Sequence, residues 1–165
     1  MPEEQTVSAA EVRIRHFQPG DEAAFRTLNE EWITRFFRIE PKDEEVLADP
    51  QGSILAAGGK ILFAVVGDRC VGCCALLRMS DGEFEVAKMA VTSAHQGGGI
   101  GRKLLHATIE AARSAAARRL YLETNSRLKT AIRLYESIGF KRLAADRTTP
   151  SPYARADVYM EMILA

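Results

Sequence analysis

Hydrophobic and polar positions divide this chain into segments of two different periods. VRIRHF (12–17) alternates apolar and basic residues, the period of two that predicts an edge strand with one covered face. In PGDEAAFRTLNEEWITRFF, Phe25, Leu28, Trp32 and Phe36 recur at helical spacing, and Asp21 stands where a helix N-cap belongs. The polar stretch IEPKDEEVLADPQGSIL, with two prolines, predicts a short second helix or a loop ending near Pro50. ILFAVVG and CVGCCALLRM are apolar runs joined at Asp68-Arg69, the pattern of a hairpin. FEVAKMAV (84–91) follows as a further strand, after a turn marked by Gly82.

Past three consecutive glycines the period changes again. Ile100, Leu104, Leu105, Ile109, Ala112 and Ala116 trace one apolar helix face, with Arg102, Lys103, Glu110 and Arg113 on the other. LYLET (120–124) is a strand, LKTAIRLYESIGF a second helix closed by Gly139, and DVYMEMIL (157–164) a final strand. The order β-α-α-β-β-β-α-β-α-β predicts an α/β chain: one mixed sheet with helices on its faces. No repeat, low-complexity segment or linker interrupts it. Residues 11–165 therefore read as a single domain behind a frayed tail, residues 1–10.

Composition narrows the function classes. Lys plus Arg and Asp plus Glu each total 22 in 165 residues, a formal charge of zero. A nucleic-acid binder draws on a surplus of cations, so that class is disfavoured. The acidic N-terminal residues resemble no signal or transit segment, and no run approaches the ~18 apolar residues of a membrane span. The expectation is a cytoplasmic protein without membrane or nucleic-acid partners. Cys70, Cys73 and Cys74 include a Cys-x-x-Cys spacing, but a structural zinc site wants four ligands and no second pair exists. Two of the three fall in an apolar strand, where free Cys acts as a small hydrophobe, so no metal is expected.

The glycine stretch carries the chemistry. Strand, Gly-rich turn and helix start expose unpaired backbone N–H groups at the positive end of the helix dipole, a cradle for a phosphate. A Walker A loop requires Gly-x-x-x-x-Gly-Lys-Ser/Thr, which no register around Gly97–Lys103 provides. The dinucleotide fingerprint begun at Gly97 and Gly99 would need glycine where Arg102 stands. What the residues do satisfy is Gln/Arg-x-x-Gly-x-Gly/Ala, through Gln96, Gly99 and Gly101.

That loop resembles the acetyl-CoA loop of the GNAT N-acetyltransferase superfamily. EVAKMAV is similar to that family's fourth strand, and AIRLYESIGF to its second motif, a helix bearing Ala-Ile-x-Leu-Tyr and ending in Gly-Phe. The two motifs occur in the family's order, and the resemblance covers most of residues 12–164. It implies a mostly antiparallel central sheet of six to seven strands, flanked by helices, whose fourth and fifth strands splay apart. It also implies acetyl-CoA as cosubstrate and direct acyl transfer to an amine. The main-chain N–H groups of Gln96, Gly97, Gly98, Gly99, Ile100, Gly101 and Arg102 would cradle the diphosphate, with the Arg102 side chain adding a charge-assisted contact.

By the same resemblance, the main chain of Met89, Ala90 and Val91 would pair with the pantetheine arm and thioester. The N–H of either Met89 or Val91 would serve as oxyanion donor. Tyr135 matches the tyrosine that protonates the leaving thiolate in this family, although its helical spacing with Leu128, Ala131 and Ile138 also suits a core residue. Glu85 stands where several members place a catalytic carboxylate; the alternatives are a solvated strand face with Glu83 and Lys88, or a water relay. Where the family often has a pantetheine-binding Asn, this chain has Leu128. Asn125, three residues earlier, either takes that contact or caps the following helix.

The implied acceptor pocket draws on WITRFFRIEPKDEE and RTTPSPYARADVY. Trp32, Phe36 and Phe37 with Arg35 and Arg38, and Tyr153 with Arg155, suit a small amine bearing a carboxylate, such as an amino acid. The competing assignment is aromatic core with solvated arginines. Acetylation of a protein lysine or N-terminus, a non-catalytic acyl-CoA sensor, and a nucleotide-binding module are the alternative functions. Dimers are common in the family, an analogy that admits a homodimer here.

Overall fold

The computed structural model describes residues 11–164, so the segment 1–10 read as a tail lies outside the described residues. Strand β1 (Arg13–His16) leads into helix α1 (Glu22–Phe36) and helix α2 (Pro41–Ala48), followed by a π-helical turn, Gln51–Leu55. Strands β2 (Lys60–Val66), β3 (Arg69–Ser80) and β4 (Glu83–Val91) come next, then helix α3 (Ile100–Ser114) and strand β5 (Arg119–Thr124). Helix α4 (Lys129–Ile138), the short strand β6 (Lys141–Arg142) and β7 (Val158–Ile163) complete the chain. The expected order holds, with β6 as an addition too short to carry a periodic signal.

Among the described residues seven strands form one sheet in the order β1-β2-β3-β4-β5-β7-β6. Neighbours run antiparallel except β4 and β5, which are parallel. That parallel pair is brief: Glu83, Phe84 and Glu85 pair with Arg119, Leu120 and Tyr121, and there the ladder ends. β5 continues to Thr124 against β7, so β4 and β5 part beyond Glu85.

The sheet separates two cores. On one face α3 and α4 cover Leu62, Leu76, Phe84, Val86, Leu120 and Met160. On the other, α1 and α2 cover Ile61, Phe63, Val65, Cys73 and Ala75. The period of two in β2 distributes its residues alternately between these cores, which is why ILFAVVG reads as one continuous apolar run.

Local chemistry departs from the expected pattern at two helix ends. Asp21 precedes α1, but its side chain makes no cap; it accepts from both Arg15 guanidinium nitrogens (2.7 and 3.1 Å) and from the Gln18 N–H (2.7 Å). Ala116 is not on the apolar face of α3. The helix ends at Ser114, Ala116 turns to φ +59°, and Ala117 is the residue that is buried. α2 is built more strongly than its polar sequence suggests, with Pro41 in its first turn and a reciprocal capping box between Glu40 and Asp43. Cys73 and Cys74 are buried as expected, and all three cysteines are free thiols.

Candidate active site

The split between β4 and β5 opens into a cleft of about 910 Å³ that reaches both faces of the sheet. The glycine loop bounds one end. Among the described residues the N–H groups of Gly97 through Arg102 have no carbonyl partner, and they converge where α3 begins. Gly99, the residue before α3, has φ +83°, and Gly97 has φ +85° with open space where a Cβ would stand. Left-handed backbone and bare amides are what the three glycines supply. The Gln96 carboxamide donates to the Val91 carbonyl at 3.0 Å, tying the loop to the end of β4. Arg102 donates to the Ser137 hydroxyl at 3.0 Å, so its guanidinium stands between the loop and α4.

The wall of the cleft is β4 itself. Beyond Glu85 its β5-facing edge has no strand partner among the described residues, and Met89, Ala90 and Val91 line the cleft there. Tyr135 lines the same space from α4, buried and edge-on to Phe140 at 5.8 Å between centroids. No hydrogen bond from a described residue engages its hydroxyl, and burial pushes its pKa up, so the phenol stays protonated at neutral pH.

Across the cleft stands Glu85. No cation lies within ion-pair distance of its carboxylate among the described residues. Burial, then the nearby charge of Glu123, raise its pKa from 4.5 to about 7 against the opposing pull of Lys88 and Lys42. Of the strand face considered from sequence, Lys88 is buried, Glu83 pairs with Arg119, and Glu85 is half-buried in the cleft without an ion-pair partner among the described residues. Glu123, from β5, was not singled out by sequence. Burial raises its pKa too, although Ser151 (3.0 Å) and Tyr121 (3.3 Å) donate to it.

The acceptor-side residues sort into two groups. Trp32, Phe36, Phe37, Tyr153 and Arg155 line the cleft. Trp32 and the two phenylalanines are half-buried there, and Trp32 also packs against the core under α1 and α2. Arg35 does not join them; it is exposed, with its guanidinium over the Phe36 ring at 5.2 Å. Helical rotation of α1 separates position 35 from the 32–36 stripe. Asn125 lines the cleft, but its carboxamide donates to the Arg155 carbonyl (2.7 Å) and accepts from the Arg127 N–H (2.8 Å). It braces a loop, and Leu128 occupies the N-cap position of α4.

Sequence reasoning also missed a buried ionic cluster beneath Tyr153. Asp43, at 0 % exposure, accepts from Lys88 Nζ (2.7 Å), from both terminal nitrogens of Arg155 (2.7 Å each) and from the Glu40 N–H (2.8 Å). Burial pushes the Asp43 pKa upward, but its Arg155 and Lys88 partners override this and hold it at about 2. Lys88 also reaches the Tyr153 hydroxyl at 3.1 Å. The available sign was a lysine standing in the apolar register of FEVAKMAV, with Phe84, Val86 and Ala90.

Comparisons with known proteins agree with this geometry. The Acetyltransferase (GNAT) family model matches residues 23–140. An IAA acetyltransferase of Azospirillum brasilense is 40% identical over 144 residues, covering 86% of this chain and 90% of that protein. A mycothiol acetyltransferase of Thermobispora bispora is 32% identical over 145 residues, or 82% of this chain and 48% of that protein. The N-alpha-acetyltransferase RimI of Mycobacterium tuberculosis is 40% identical over 65 residues, 39% of each chain. The chain thus spans less than half the length of these last two relatives. The fold superposes on a GNAT-family acetyltransferase from Staphylococcus aureus with TM-score 0.85 at 19% identity, over 93% of this chain and 99% of that one. A Salmonella typhimurium structure described with its cofactor acetyl-CoA has TM-score 0.73 at 24% identity, over 93% of this chain and 94% of that one. At those identities the two structures speak for the fold. The family match over most of the chain, with the split sheet and bare glycine loop that it calls for, places this protein in the GNAT acetyltransferase family.

Proposed function

We propose that this chain transfers an acetyl group from acetyl-CoA directly to a primary amine of a small molecule, in a cytoplasm that keeps its three thiols reduced. The carrying observation is that one cleft holds a bare N–H cradle, a free strand edge, a half-buried carboxylate and a protonated phenol. The residues fit coenzyme A: amides 97–102 match a diphosphate, and the edge at Met89–Val91 matches an amide-bearing arm. When bound, the coenzyme supplies a thioester activated toward amines. Everything else is the work of this chain's side chains and main chain.

Glu85, poised near neutral pH, takes the proton of the attacking amine. An N–H of the Met89–Val91 edge, with no strand partner, donates to the developing oxyanion. Tyr135, whose hydroxyl is committed to no protein acceptor, gives its proton to the departing sulfur. The aromatic wall of Trp32, Phe37 and Tyr153 keeps bulk water from competing with the amine. Among the described residues Lys88 and Arg155 on this side are neutralised by Asp43 and Glu40, while Glu85 and Glu123 have no ion-pair partner and neither has Arg127, whose guanidinium lies over the Phe37 ring. Two carboxylates facing one guanidinium suit an amine that also carries an anionic group.

A thiol-release assay tests the reading. Protein and acetyl-CoA are offered amino acids, polyamines, aminoglycosides and short peptides, with protein-only blanks because half-buried Cys70 can react with the reagent. Release dependent on a small amine supports the proposal. Release with peptides alone moves the assignment to protein N-terminal or lysine acetylation. Thermal stabilisation by acetyl-CoA without release from any amine identifies a sensor.

A further inference from the structure

β4 changes faces partway along its length. Phe84 and Val86 enter the core under α3 and α4, yet Ala90, of the same parity, enters the core under α1 and α2. Met89 and Val91 then pack toward α3 and α4. The register against β3 shows the cause: Ala75 pairs with Ala87 but Cys73 with Ala90, so three steps on β4 oppose two on β3. The additional residue lies at Lys88, which has φ +52°. A bulge of this kind flips every side chain beyond it to the opposite face.

The position is costly for lysine. A residue with a Cβ disfavours this left-handed backbone, and glycine adopts it freely. What holds Lys88 there is its side chain, only 4% exposed. Nζ reaches Asp43 at 2.7 Å and the Tyr153 hydroxyl at 3.1 Å, and lies 4.6 Å from the Tyr153 ring centroid. Asp43 is a rigid anchor because Arg155 and the Glu40 N–H grip it from other directions. The Lys88 carbonyl is held as well, accepting from the Cys73 thiol at 3.4 Å.

We propose that Lys88 is a positioning residue: its tether to Asp43 holds the bulge, which turns Met89 and Val91 toward the coenzyme face and leaves Glu85 on the acceptor face. The functional part of this inference rests on the acetyl-transfer reading above; the mechanical part does not. Asp43 keeps its Arg155 and Glu40 partners when Lys88 is removed, so variants at position 88 retain a paired anion and are expected to fold.

The test compares Lys88→Ala with Lys88→Gly. Both lose the tether, but only alanine carries the Cβ that opposes φ +52°. Hydrogen exchange at the amides of Ala90 and Thr92, which pair with β3 beyond the bulge, acetyl-CoA affinity and kcat are measured on folded protein well below each melting temperature. Lys88→Ala is expected to speed exchange at those amides, weaken acetyl-CoA by ~10-fold and lower kcat by ~100-fold; Lys88→Gly is expected to recover about tenfold of the lost rate. If Lys88→Ala does not fold, Lys88→Met, which keeps the apolar stem and the Cβ, replaces it. A tether that merely adds stability predicts wild-type affinity and rate in both folded variants, and that result overturns the proposal. So does equality of the alanine and glycine variants in exchange and affinity. Wild-type protein that turns over no amine refutes the proposed function alone, because exchange and acetyl-CoA affinity still decide the tether.

Discussion

Replacing Glu85 by Gln removes one titration from the cleft while preserving the shape of the side chain. In the folded protein Glu85 ionises near 7, against 4.5 for the free side chain, with burial as the leading cause and Glu123 second. Between those values the folded state holds a proton that the unfolded state has lost. The stabilising effect of the protonated acid is complete below about pH 4.5 and is lost as pH rises through about 7. A shift of this size corresponds to at most ~3 kcal/mol, at 1.36 kcal/mol per unit. Urea melts of wild type and Glu85→Gln from about pH 5 to about pH 8 read it as a difference curve. Wild type should lose stability relative to the variant across that range, by up to ~3 kcal/mol. Kinetics read the same group: wild-type kcat/KM should rise and level off above about pH 7, and Glu85→Gln should lose both that inflection and ~100-fold in rate. A flat stability difference refutes the half-buried, unpaired carboxylate. A variant that keeps rate and inflection assigns the proton to a water relay instead.

Tyr135→Phe should lower kcat by ~100-fold and leave the melting temperature within a few degrees, since no protein hydrogen bond is lost; steady-state kinetics beside a thermal melt checks both. Gly99→Ala forces a Cβ onto φ +83° at the mouth of the cradle, costing roughly 1–2 kcal/mol and weakening acetyl-CoA by about tenfold in calorimetry. Gly101→Ala is the contrasting case: its Cβ would meet Leu134 Cδ2 at 3.5 Å and Val91 Cγ2 at 3.9 Å, ordinary contacts. That variant should keep its coenzyme affinity and gain ~0.5–1 kcal/mol in urea melts, the usual difference between alanine and glycine inside a helix. Asp43→Ala leaves Lys88 and Arg155 buried without their shared anion and should cost ~3–5 kcal/mol by denaturant melt.

What the sequence made legible was local or periodic. The glycine loop, the amphipathic α3 and α4, and the apolar strands all announce themselves within windows of a dozen residues, and the structure keeps each of them. Glu85 and Tyr135 were legible through their positions beside those motifs. The ionic cluster beneath the acceptor side was not, because its residues meet only through tertiary contacts. Lys88 and Asp43 are separated by 45 residues, and Arg155 approaches Asp43 from 112 residues away. No period marks such pairs. Arg35 shows the converse: adjacent in sequence to Phe36, it faces away because one helical step is 100°.

The bulge joins these two kinds of information. A strand of strict alternation would present Glu85, Met89 and Val91 on one face of the sheet. The observed strand puts Met89 and Val91 toward α3 and α4 while the Lys88 side chain lies toward α2. Direct transfer between two substrates needs the thioester and the acceptor base in one void, approached from opposite sides. A parted pair of strands makes that void, but only a register change lets a single strand serve both of its faces. The lysine that breaks the apolar pattern of FEVAKMAV is therefore the visible trace in the sequence of where β4 changes faces.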